Sequence, residues 1–159
     1  MTINEPGRLI RIGVLAGAAG GLAEIVWVSL YAGLTGGDAA ILARGVTTAA
    51  GISAVLPVAP VAAGIAVHMV LAVLLGIGLA VLLQVLGARR VATLYTVSLL
   101  ALAAVWATNF FIVLPILSPA FVLAVPYAVS LTSKLLFGFA AAETLRRSHA
   151  PAAAFVRAS

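Results

Sequence analysis

The sequence predicts an all-α, polytopic membrane protein: a bundle of four transmembrane helices with a short interfacial or re-entrant helix between the first and second. Three observations carry this. Of 159 residues, 64% are hydrophobic and 8% charged, against roughly 45–50% apolar and 25% charged in ordinary soluble domains. Mean hydropathy is +1.25. Apolar runs of about 20 residues recur, each long enough to cross a hydrocarbon core about 30 Å thick, and proline and glycine clusters separate them.

The first span is read as residues 9–33, ended by the glycine-rich Leu34-Thr35-Gly36-Gly37. Arg8 and Arg11 before an apolar run, with Gly21-Leu22-Ala23 as small residues, also fit a signal peptide. The apolar stretch continues past Glu24 to Gly33, so an uncleaved helix is expected. Residues 38–54 have helix character, with Asp38 placed to cap Ala39 onward, but Arg44, Gly45, Thr47, Thr48 and Gly51 interrupt the apolar pattern. A helix lying at the interface is preferred; the alternative is a re-entrant segment, which must lie against protein or water.

The second span covers residues 61–86, after Pro57 and Pro60 and before Gly87-Ala88-Arg89-Arg90. The third covers 91–114 and is expected to stop at Pro115 and Pro119. The fourth lies within 120–145, with Pro126 near its start or kinking its first turn. Residues 1–147 therefore form one transmembrane domain. Residues 148–159, including a solvated His149, read as a flexible cytoplasmic tail.

Lysine and arginine outside the spans set the orientation. Arg8, Arg11, Arg89, Arg90, Arg146, Arg147 and Arg157 fall on one side and Arg44 alone on the other, which places both termini in the cytoplasm. Trp27, Tyr31, Trp106, Phe110 and Tyr127 then fall toward the outer helix ends. The net charge of +5 is explained by these flanks; nothing resembles a nucleic-acid groove, and none is expected. The excess of Arg over Lys and the many alanines suggest a GC-rich bacterial genome and hence the inner membrane.

Small residues mark the packing faces. Gly13, Gly17 and Gly21 recur every fourth position in the first span, and Glu24 lies on or beside that face. In the second span Gly64, His68, Ala72, Gly76 and Ala80 form one stripe; in the fourth, Ser130, Lys134, Gly138 and Ala142 do the same. At a rise of about 1.5 Å per residue, Glu24 lies about 20 Å from Arg11, Lys134 about 16 Å from Leu145, and His68 about 18 Å from the inner side. All three come out near mid-membrane. Glu24 and Lys134 are expected to pair, with His68 a third partner and Asn109 and Thr108 extending the polar set.

Intramembrane ionisable groups are functional candidates by default, whereas a buried pair can also simply fix helix register. The functional reading is a proton-coupled small-solute transporter, as a homodimer because one chain offers little room for a solute path. The alternative is a non-catalytic accessory or assembly subunit whose glycine faces dock a larger membrane complex. Histidine suits proton shuttling near neutral pH. No nucleophile motif, phosphate loop or catalytic carboxylate pair is present, and cysteine is absent. No enzyme activity, cofactor or metal is therefore expected. Glu5, Asp38 and Glu143 are expected to cap helices or to be solvated.

Gly21-Leu22-Ala23-Glu24-Ile25-Val26-Trp27 resembles the first helix of small multidrug resistance exporters. The resemblance implies a four-helix protein in which Glu24 exchanges protons for a cationic drug or guanidinium and Trp27 lines the site. It covers seven residues. The chain is longer than that family, carries a helix-like insertion after the first span and lacks the family's third-helix packing pattern. It also places Lys134 where a cationic substrate would compete, so the stretch is read as convergence on an acid beside glycine.

Overall fold

The structure is a computed structural model describing residues 6–51, 60–88 and 90–149, and every described element is helical. Three helices are long and apolar enough to cross a membrane: α1, Pro6–Thr35; α3, Pro60–Val85; and the rod Val91–Leu117. Between the first two lies α2, Ala39–Ala49. The rod consists of α4, Val91–Thr108, a π-helical turn Asn109–Val113, and a last turn α5, Leu114–Leu117. After it come α6, Pro119–Ala124, and α7, Tyr127–His149. Half-exposed apolar side chains such as Leu15, Leu22 and Leu30 give the exterior a surface suited to hydrocarbon.

Helix ends follow from local chemistry. Gly36, at φ 70°, caps α1, and the Gly37 N–H donates to the Ala32 carbonyl at 2.8 Å. Gly87, at φ 61°, ends α3 in the same way, with Ala88 N–H on the Leu83 carbonyl at 3.0 Å. Asp38 caps α2 as expected, accepting from the Ala40 N–H at 2.8 Å and from Arg44 at 2.8 Å. These two interactions hold its carboxyl below the usual aspartate range.

Of the prolines after residue 91, Pro119 and Pro126 stand at helix boundaries as expected, and Pro115 does not. Pro115 does not stop the third span; the helix runs on to Leu117. A proline lacks an N–H and its ring collides with the carbonyl four residues back. The π turn widens the helix there, with the Leu114 N–H reaching the Asn109 carbonyl five residues back. The stretch expected to be the fourth span is interrupted near its start: Val125 is extended at φ −118° and ψ 117°, as residues before proline prefer. Pro126 therefore lies just before α7 and outside it.

In space α1 is central, flanked by α3 on one side and α7 on the other, with α4 packed on α7 and α2 on α3. Neighbours run antiparallel. The start of α1, the end of α3, the start of α4 and the end of α7 meet where Ile12, Leu83, Leu94 and Leu145 are buried in one core. At this core end the chain is tightly packed. A β-carbon on Gly17 would lie 2.4 Å from the Ala72 carbonyl oxygen, and one on Gly76 would lie 2.3 Å from the Gly17 nitrogen. β-Carbons on Gly13 and Gly21 would also collide with α3, at 2.7 Å from Ile77 Cα and 2.7 Å from Ala72 Cβ. Gly64 serves a different joint: its β-carbon would lie 2.0 Å from the Ala43 oxygen of α2. A β-carbon on Gly138 would meet α4 at an ordinary 3.4 Å.

Residues 52–54 of the segment between the first spans, Glu5, Arg89 and tail residues 150–159 lie outside the described residues, as does the side chain of His149. Ser148 and His149 belong to α7.

Candidate functional site

Glu24 follows the glycine seam by one turn and is buried at 5% exposure. Its position depends on Gly20, four residues earlier, where a β-carbon would strike the Phe137 ring at 2.7 Å. Gly20 thus lets α7 approach α1. Lys134, three residues before Phe137 on α7, then reaches Glu24 with Nζ 2.7 Å from Oε1 and 3.0 Å from Oε2. The ammonium also lies 5.5 Å from the Phe137 ring centroid, within cation–π range. Ser133 donates its hydroxyl to Glu24 Oε1 at 3.4 Å.

From the other side α3 contributes His68. Its Nε2 lies 3.7 Å from Glu24 Oε2 and 3.3 Å from the Gly21 carbonyl oxygen. The Gly21 carbonyl can only accept, so the contact at 3.3 Å suits the tautomer with its hydrogen on Nε2. The structure therefore brings Glu24, His68 and Lys134 together across three helices.

These side chains form one wall of a cavity of about 620 Å³ among α1, α2, α3, the rod and α7. The lining is mainly aliphatic and aromatic, and among the described residues Glu24, Lys134 and His68 are its only ionisable ones. Asn109 also lines it, at the first position of the π turn, and its carboxamide makes no hydrogen bond to any described residue. Thr108 is exposed and does not line it. One end is roofed where Phe121 of α6 meets α2; a β-carbon on Gly45 would lie 2.3 Å from that ring. Leu71 and Leu117 line the cavity while remaining 57% and 59% exposed, so it is open at its side.

The aromatic residues stitch helices around this space. Trp27 donates its indole N–H to the Val129 carbonyl at 3.0 Å and is absent from the cavity lining, contrary to the role its resemblance implied. Trp106 donates to Ser130 Oγ at 2.9 Å and packs against Phe110, Phe111 and Tyr127.

A second cluster escaped the sequence reading. Glu143 is neither a cap nor freely solvated: it accepts from Arg146 at 2.7 Å, from Arg147 at 2.6 Å and from the Tyr95 hydroxyl of α4. Glu143 and the arginines sit three and four positions apart on α7, a spacing visible in the sequence. Tyr95, 48 residues away, could be supplied only by the fold. Among the described residues no three His, Asp or Glu side chains converge in a way that could hold a metal. Comparison of the chain with protein-family models, curated proteins and solved structures finds no match.

Proposed function

We propose that the protein is a four-helix carrier of the inner membrane, both termini cytoplasmic, that moves a small solute coupled to protons through the Glu24–Lys134–His68 site. In this reading α7, 23 residues and about 35 Å long, is the fourth crossing. The observation that carries it is a charged cluster in the wall of a largely apolar cavity of about 620 Å³, within the range of small-molecule sites. A pair serving only to fix helix register would be packed as closely as the rest of the interior, where voids larger than a water are few. Because the cavity lies within one chain, the reading does not depend on a second copy.

Coupling follows from competition at one carboxylate. A proton on Glu24 removes the charge that holds Lys134, and a solute group bound to the same oxygens excludes the proton. His68, 3.7 Å away, is placed to pass protons to or from that carboxylate. Arg8, Arg11, Arg90, Arg146 and Arg147 gather at the core end, and the positive-inside rule puts that end in the cytoplasm. The cavity, its α2–α6 roof and Arg44 then belong to the outer half.

The accessory-subunit alternative depended on glycine faces free to dock a partner. Gly13, Gly17, Gly21, Gly64 and Gly76 are instead occupied by this chain's own helices. To test the carrier reading, the protein is reconstituted in liposomes holding a pH-sensitive dye and given gradients of small amphiphilic cations, carboxylates and zwitterions. At least one class is expected to drive proton movement, and Glu24→Gln to abolish it. No proton movement with any class, or flux unchanged by Glu24→Gln, would sink the proposal.

A further inference from the structure

We infer that the cavity selects a small zwitterion bearing one carboxylate, one ammonium and an apolar side group, in preference to a solute with a single charge. This rests on the reading of the cavity as a solute site.

The argument is one of charge balance. Among the described lining residues there is one carboxylate and one ammonium, already paired at 2.7 Å, with His68 as the only other ionisable group. A cation that takes Glu24 must displace Lys134, whose side chain is 20% exposed, and leave an ammonium without a counter-charge. An anion that takes Lys134 strands Glu24, whose side chain is 6% exposed. Removing one partner of a buried pair is among the costliest electrostatic changes in a protein. A zwitterion inserted between them replaces one ion pair with two, its carboxylate on Lys134 and its ammonium on Glu24, and the site remains neutral.

Two further features fit this occupant. The Asn109 carboxamide lines the same cavity with donors and an acceptor unused by any described residue, and can take a remaining carboxylate oxygen or ammonium proton. The remaining lining, including Trp106, Phe110 and Phe121, offers apolar surface for the side group. Glu24 stands on α1 and Lys134 on α7, so an occupant that parts them also acts on the α1–α7 contact.

The test is equilibrium binding to the full chain in nanodiscs with three radiolabelled probes of one skeleton: L-phenylalanine, phenethylamine and 3-phenylpropanoate. The expected result is that phenylalanine binds at least about ten-fold more tightly than either of the others. Lys134→Met, which leaves Glu24 without its counter-charge, should reverse the order and favour phenethylamine. Asn109→Ala should weaken phenylalanine several-fold while leaving the thermal midpoint unchanged, and decides the matter if Lys134→Met does not fold. Equal or tighter binding of either single-charge probe, or no binding of all three at millimolar concentration, overturns the zwitterion assignment. Proton movement in liposomes driven by another solute class would still leave the carrier reading standing.

Discussion

Between Gly13 and Gly21, α1 lies against α3 backbone on backbone, close enough that a β-carbon at Gly17 would fall 2.4 Å from a carbonyl oxygen. One turn further on, Glu24 and His68 stand 3.7 Å apart and the helices border a cavity. The residue types account for the change. Past Gly21 the run of glycines at every fourth position is broken by Ile25, and Ile25, Val28 and Ser29 line the cavity where glycines had closed the seam. On α3, the next position of the same stripe beyond His68, Gly64, receives α2 and not α1. The seam gives the core end its fixed geometry, and the carboxylate is held at the point where that geometry opens.

The largest expected effect lies at the opening. Glu24→Gln leaves the Lys134 ammonium without its counter-charge and should destabilise the protein by about 3–5 kcal/mol, measured as a fall in thermal midpoint in detergent. Closing forces come next. Gly76→Ala should cost about 1–3 kcal/mol through overpacking, because its β-carbon would meet the Gly17 backbone at 2.3 Å. Gly138→Ala, with 3.4 Å available, should be close to neutral. Equal losses for the two glycines would break the contrast between the seam and the α4–α7 contact.

Smaller effects sharpen the cavity half. Trp106→Phe removes the N–H donated to Ser130 and should cost about 1 kcal/mol, with the Phe110 and Tyr127 packing largely kept. The smallest effect is at the α2 cap. Asp38 is held below its unfolded value, so its stabilisation is complete above the ordinary aspartate range and is lost as pH falls through the lowered folded value. The Ala40 amide resonance should therefore titrate with a midpoint below that of an unstructured aspartate. A midpoint at or above it would remove the cap from the account.

The convergence of Glu24, His68 and Lys134 was legible because each ionisable residue shares a helix stripe with small residues, and small residues choose the packing face. The same rule could not say which helix each glycine faces, so Gly64 served α2 unforeseen. Pro115 read as a stop because proline breaks an ordinary α-helix; widening to a π turn that began at Asn109 was not visible in composition. The cavity was also hidden, since it arises from the divergence of helices and the volumes of side chains far apart in the chain. Glu143 lost its expected solvation to Tyr95, a contact that depends on how α4 packs on α7.

The central claim is that the Glu24–Lys134 pair serves the cavity as well as holding α1 to α7. The most direct test is the double variant Glu24→Gln with Lys134→Met, which removes both charges together and leaves neither stranded. It should fold with a smaller loss than the sum of the single variants and, in liposomes, show no solute-driven proton movement. A double variant that folds and still couples solute to protons at the native rate would contradict the account.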